Sequence, residues 1–239
     1  MRPIIIAHRG ASHLAPENTL AAFRLAKRLG ADGIECDVQL TKDHQLVIAH
    51  DYFTDDHAGV KGDIYDMTLA ELRQLDFGKW KSPEYEGEKI PTLDEVLEVG
   101  RDMKMLHIEL KPYLDRDADF PERVVEAVCN AHMEDQVVLT SFQYGLLGRI
   151  KEIRPEIKTA ALFLNTESSL CPPTVLWEDL GLRKDDPLVQ QLSGPQGIET
   201  AAAIVEDPGT LEEENGMLVR YLNDRLTALF SNYPGKNLL

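Results

Sequence analysis

Residues 33–40 read Gly33-Ile34-Glu35-Cys36-Asp37-Val38-Gln39-Leu40. Side chains alternate across a strand, so residues two apart share a face. Glu35 and Asp37 therefore lie on one face, with Ile34, Cys36 and Val38 on the other. The apolar face suits packing against helices, which turns the acidic face inward. Two buried carboxylates side by side are costly unless a positive centre lies between them. A hard divalent cation held by carboxylate oxygens removes that cost. The competing reading is a solvent-facing edge strand with ordinary surface acids.

Residues 106–111, Leu106-His107-Ile108-Glu109-Leu110-Lys111, repeat the pattern. His107, Glu109 and Lys111 share a face, which makes Glu109 a candidate third oxygen ligand. Lys111, nearer the following loop, is placed to reach a phosphate oxygen; a solvated Glu–Lys pair is the alternative. Upstream, the apolar run Ile4-Ile5-Ile6-Ala7 meets His8-Arg9-Gly10. Residues 45–50, a second extended run, end at His50-Asp51. Strand C-termini of an α/β barrel open on one face, where active sites lie. Two histidines there can act as general base and general acid. Arg9 and Lys111 can add charge-assisted bonds to a phosphate. Such a set suits phosphodiester cleavage.

The rest of the chain alternates strand and helix. Strands are expected at 3–8, 33–40, 106–111, 136–142 and 158–164, and helices at 121–133 and 144–153. Asn18 or Thr19 can cap a helix carrying Leu20, Phe23 and Leu29, which Gly30 can end. Thr68–Glu71 and Thr92–Glu95 read as capping boxes. Beyond Leu164 the pattern weakens. Residues 200–206 are a candidate seventh strand, 211–223 a helix, and 227–232 the closing strand. The expectation is one α/β domain over 1–239, a (β/α)₈ TIM barrel, with 52–90 as a small insertion. A doubly wound open sheet is the alternative, without a G-x-G-x-x-G motif to support a dinucleotide version.

The chain has 239 residues and a formal net charge of −16, which disfavours nucleic acid and anionic lipid surfaces as partners. An anionic substrate then needs a local positive centre, and a metal ion supplies one. Cys36, Cys129 and Cys171 are too few and too scattered for a disulfide framework or a zinc site. No stretch approaches the ~20 apolar residues of a membrane span, and Ile4–Ala7 is too short for a signal-peptide core. The expectation is a cytoplasmic protein without stable membrane association.

Taken together, His8-Arg9-Gly10, Pro16-Glu17-Asn18-Thr19, Glu35-Cys36-Asp37-Val38, Thr41-Lys42-Asp43, His50-Asp51, Ile90-Pro91-Thr92-Leu93, Glu109-Leu110-Lys111 and Ser141-Phe142 resemble the glycerophosphodiester phosphodiesterase family in order and spacing. The likeness is specific across residues 4–142. It implies a (β/α)₈ barrel that hydrolyses glycerophosphodiesters to sn-glycerol 3-phosphate and an alcohol. It implies one Mg²⁺ or Ca²⁺ ion on Glu35, Asp37 and Glu109. It also implies an acid/base pair at His8 and His50 and phosphate contacts from Arg9 and Lys111. Phe142, at the end of its strand, is a candidate for packing against the glycerol unit. The family's seventh strand usually carries an aromatic residue near the site. Ala203–Pro208 lacks it here, and Trp177 is a candidate substitute. Two other functions remain open on sequence: a phospholipase-D-like or phosphatidylinositol-phospholipase-C-like barrel acting on intact lipids, and a decayed barrel that only binds.

Overall fold

The computed structural model describes residues 4–113, 118–162 and 228–231. In chain order the elements are β1 (Ile4–Ala7), α1 (Leu20–Leu29), β2 (Gly33–Leu40), β3 (Leu46–Ile48), α2 (Asp55–Ala58), α3 (Leu69–Leu72), α4 (Leu93–Gly100), β4 (Met105–Leu110), α5 (Phe120–Asn130), β5 (Val137–Ser141), α6 (Tyr144–Ile153), β6 (Lys158–Ala161) and β7 (Ala228–Ser231). Short 3₁₀ turns lie at Ile64–Asp66 and Pro83–Tyr85.

Six of these strands form one parallel sheet in the order β6-β5-β4-β2-β1-β7. Parallel neighbours need long crossovers, and α1, α4, α5 and α6 supply them. The first strand lies between the second and the last, with Ile4–Ala7 in register with Ala228–Ser231. That adjacency is how a sheet curls toward closure. The expected strand at 227–232 is thus present as β7. The expected strand at 200–206, the helix at 211–223 and Trp177 lie outside the described residues.

The outward faces of the strands are apolar and covered by helices. Ile34, Cys36, Val38, Ile108 and Leu139 pack with Phe23 and Ala26 of α1, Val96 and Leu97 of α4, Val124 and Val128 of α5, and Leu147 and Ile150 of α6. Burying them is the main driving force for this layer. By alternation, Glu35, Asp37 and Glu109 are left on the opposite face.

One sequence expectation needs correction. Residues 45–50 do not form a parallel barrel strand: β3 runs antiparallel on β2, with Val38 opposite Ile48 and Leu40 opposite Leu46. Only residues 41–45 connect them, too few for a crossover. Thr41 N–H donates to Gln45 O at 3.0 Å and His44 takes a left-handed φ of 56° to close the turn. His50 therefore reaches the sheet by coming back down along β2. Between the two cap candidates of α1 the structure decides. The cap is Thr19, whose side chain accepts from Ala22 N–H, while Asn18 does something else. Gly30 ends the helix at φ 87°, as expected.

The segment after β3 has its own small core of Val47, Ile64, Leu72, Phe77 and Ile90. Both expected capping boxes are formed, at Thr68/Glu71 and Thr92/Glu95. Among the described residues, no helix is long and apolar enough to cross a membrane.

Candidate active site

β2 and β4 bring the acids together. Their parallel register sets Glu35 beside His107 and Asp37 beside Glu109. One oxygen from each of Glu35, Asp37 and Glu109 lies within 4.8 Å of the others, and all three residues are buried. Burial and the neighbouring charges of Asp37 and Glu109 push the Glu35 carboxyl well above its ordinary value. Burial and Asp37, partly offset by Lys111, push Glu109 up to about 7. Burial pushes Asp37 upward too, but Arg9, Lys111, His50 and the Asn18 amide outweigh it and hold that carboxyl below its ordinary value. Asp37 Oδ1 is buried and accepts no hydrogen bond. Three crowded carboxylates, one with an unclaimed buried oxygen, form an all-oxygen donor set that fits a hard divalent cation.

The cations approach from two sides. Lys111 Nζ lies 3.5 Å from Glu109 Oε1 and 3.8 Å from Asp37 Oδ1. Arg9 follows β1 in a backbone turn with two consecutive left-handed residues, Arg9 at φ 55° and Gly10 at φ 81°. A Cβ on Gly10 would sit 2.7 Å from the Cβ of Ala22, so both the conformation and the space demand glycine. The turn aims Arg9 N–H at Glu35 Oε2 (2.8 Å) and places the guanidinium between Glu17 Oε1 (2.9 Å) and Asp37 Oδ2 (3.7 Å). Burial lowers the Arg9 pKa, but Asp37, Glu17 and Glu35 outweigh it, so the group stays charged.

The histidines follow two different strands, His8 after β1 and His50 after β3. His8 Nε2 is 3.9 Å from Glu35 Oε2. His50 Nδ1 is 2.7 Å from Asp51 Oδ1. With the Asp51 carboxylate accepting, Nδ1 is the donor of this contact and Nε2 is the other ring nitrogen. Asp51 also faces His57 Nδ1 at 3.5 Å. His57 Nε2 in turn lies 3.9 Å from Glu17, with its ring edge-on to Trp80. A hollow lined by Glu17, Asn18, Ala49, His50, Asp51, Phe53 and His57 opens between β3 and the insertion.

The structure thus brings His8, Arg9, Glu35, Asp37, Glu109 and Lys111 into direct contact range, with His50 close enough to act electrostatically on Asp37. Phe142 stands apart at the same end of β5, 39% exposed. His107, beside Glu35 on the inward face, is buried, which pushes it down to about 3 and keeps it neutral. Sequence reasoning missed Asn18 as part of the site. Its side-chain N–H donates to Asp37 Oδ2 at 2.8 Å, and its carbonyl oxygen accepts from Asp37 N–H at 3.4 Å. The signal was there: two cap-type residues in a row, of which a helix needs one.

Known proteins resemble this chain in sequence and fold. Residues 8–181 match the model of the glycerophosphoryl diester phosphodiesterase family. A glycerophosphodiester phosphodiesterase of Caldanaerobacter subterraneus subsp. tengcongensis is 41% identical over 164 residues, 68% of this chain and 68% of that relative. One from Bacillus subtilis is 30% identical over 251 residues, covering 98% of this chain and 84% of its own length. Among solved structures, an Oleispira antarctica phosphodiesterase in complex with the product sn-glycerol-3-phosphate superposes with a TM-score of 0.77 at 34% identity, over 97% of this chain and 94% of that one. A glycerophosphodiester phosphodiesterase from Agrobacterium tumefaciens gives 0.72 at 27%, over 98% and 97%. The parallel arc described above is accordingly part of a (β/α)₈ barrel. With an acidic triad on β2 and β4, an Arg-Gly turn after β1, and a family model spanning most of these residues, the chain belongs to the glycerophosphoryl diester phosphodiesterase family.

Proposed function

We infer that this chain is a metal-dependent glycerophosphodiester phosphodiesterase that releases sn-glycerol 3-phosphate and an alcohol. The observation that carries the reading is the buried Glu35–Asp37–Glu109 triad flanked by Arg9, Lys111 and two histidines. Glu35, Asp37 and Glu109 would hold one Mg²⁺ or Ca²⁺, which polarises a non-bridging phosphate oxygen when bound. Arg9 and Lys111 orient the phosphate and take up charge as it develops. His50, backed by Asp51, is suited to accept a proton, because the carboxylate stabilises the imidazolium. It takes that proton from the attacking water as the new P–O bond forms. His8, beside Glu35, gives a proton to the departing alkoxide as the old P–O bond breaks. The net change is addition of water across one ester bond.

The substrate is a small glycerophosphodiester, and Phe142 would pack against its glycerol carbons. We take residues 1–239 as one domain with 52–90 as an insertion. A cytoplasmic setting in phospholipid and glycerol catabolism fits the free thiols of Cys36 and Cys129. The test is release of sn-glycerol 3-phosphate from glycerophosphocholine, glycerophosphoethanolamine and glycerophosphoglycerol, with and without chelator. Chelator-sensitive release is expected from at least one. No release from any of them in the presence of either metal sinks the reading.

A further inference from the structure

His50 reaches the site by an unusual route for a barrel residue. It is not at the end of a parallel strand fixed on both sides. The antiparallel ladder between β2 and β3 makes its last backbone bond at Ala49 N–H to Asp37 O, 2.9 Å, and the chain then leaves the sheet. Ala49 is held by this bond and Tyr52 by Ile64 N–H at 2.9 Å, but His50 and Asp51 between them make no backbone–backbone bond.

A buried side chain supplies the restraint between them. Gln39 follows Glu35 and Asp37 on the inward face of β2 and is 3% exposed. Its Nε2 group donates to three successive carbonyls: Ala49 O at 2.7 Å, Asp51 O at 2.9 Å and, more weakly, His50 O at 3.3 Å. An amide nitrogen carries two N–H groups, so one is shared between two acceptors. Three consecutive carbonyls gathered on one nitrogen curl the backbone around it. That curl fixes the point from which the His50 side chain starts, while Asp51 fixes the ring itself.

We propose that Gln39 is a positioning residue for His50, clasping the Ala49–Asp51 carbonyls so that the imidazole is held at its working distance from the carboxylate centre. The role needs an N–H donor of this length at this place. A methionine matches the shape without the donor. A glutamate presents only oxygens to three carbonyl oxygens and repels them. Displacing a catalytic group by about 1 Å costs on the order of 10²-fold in rate, so the expected loss lies in kcat rather than KM.

This inference rests on the acid/base assignment of His50 and is tested by a double-mutant cycle with the metal-loaded enzyme. Wild type, Gln39→Met, His50→Ala and the double variant are compared for kcat, KM, metal affinity and Tm. Gln39→Met should lower kcat about 10- to 100-fold, with KM and metal affinity unchanged within twofold. In the His50→Ala background the same change should cost almost nothing, because the group it positions is gone. Gln39→Glu should lose more kcat than Gln39→Met. Independent, multiplicative losses overturn the proposal, as does an unchanged kcat in Gln39→Met. Failure of both Gln39 variants to fold also overturns it, since the residue would then serve the fold as a whole. If His50→Ala itself keeps wild-type kcat, the acid/base assignment has failed, a result distinct from failure of the clasp.

Discussion

The two flanks of the site are built in different ways. The carboxylates stand on β2 and β4, interior strands hydrogen-bonded to neighbours on both sides, and their spacing follows from the register that pairs Asp37 with Glu109. His50 stands just past a three-residue antiparallel strand and is held by side chains, Gln39 on its backbone and Asp51 on its ring. A charge centre crowded enough to repel itself needs a scaffold that cannot yield. A proton carrier needs only a correct resting place. Backbone ladders serve the first requirement, and a few polar side chains serve the second.

The strongest way to break this comparison is to remove a ligand from the rigid flank. Glu35→Gln should abolish chelator-sensitive turnover by at least about 10³-fold, the scale of several kcal/mol of lost charge stabilisation. The fold should survive, because the substitution relieves repulsion among buried acids. In chelator, Tm should therefore hold or rise, as read by calorimetry. A variant that stays fully active in chelator removes the metal from the mechanism.

On the side-chain-held flank, His50→Ala should lower kcat by roughly 10²- to 10⁴-fold while metal affinity, measured by titration calorimetry, stays put. His8→Ala should do the same. Near-wild-type kcat in both would leave the histidines as packing.

Asn18 sharpens the contrast, since it is a side-chain prop on the rigid flank. Asn18→Ala removes the amide from Asp37 and should weaken Mg²⁺ or Ca²⁺ binding by about 10- to 100-fold, the usual effect of losing a hydrogen-bond partner of a ligand. An unchanged binding isotherm would mean that the strand register alone orients Asp37.

The smallest effect belongs to neither flank. The Glu95 carboxyl closes the capping box of α4. Burial raises its pKa, but the Thr92 N–H and the Arg73 guanidinium outweigh that and hold it below its ordinary value. Its stabilisation is complete above the ordinary carboxylate range and is lost as pH falls through the lower folded value. Partly exposed as it is, it is worth under about 1 kcal/mol. Glu95→Gln should flatten the acid limb of the stability curve slightly and leave kcat alone.

How much of this was legible in the sequence follows the same division. The alternation in residues 33–40 and 106–111 placed Glu35, Asp37 and Glu109 on one face, because strand periodicity is a local property. Both capping boxes and the Gly30 stop were legible for the same reason. The direction of β3 was not read, although the five-residue link already ruled out a crossover. The partners of Asn18 and Gln39 lie 10 to 19 residues away, across the whole of α1 or across the β2–β3 hairpin, and no periodicity reports them. Thr19 and Asn18 offer the same capping chemistry, and only the tertiary structure decides which one caps.

The hairpin return has one more consequence. Ile48 N–H bonds to Pro91 O at 2.9 Å and Val47 bridges Thr92, so the chain departs after β3 and comes back at nearly the same point. Between those points lies a segment with its own apolar nucleus. Such a segment behaves as an exchangeable cassette. Because its two ends are already pinned together, changing its length alters the closure entropy only slowly, about 0.6 kcal/mol per doubling. Evolution, or a designer, can replace it to present a different wall beside His50 without touching the strands that carry the acids. The wall beside His50 and the acids that carry the charge are thereby assigned to separate stretches of one chain.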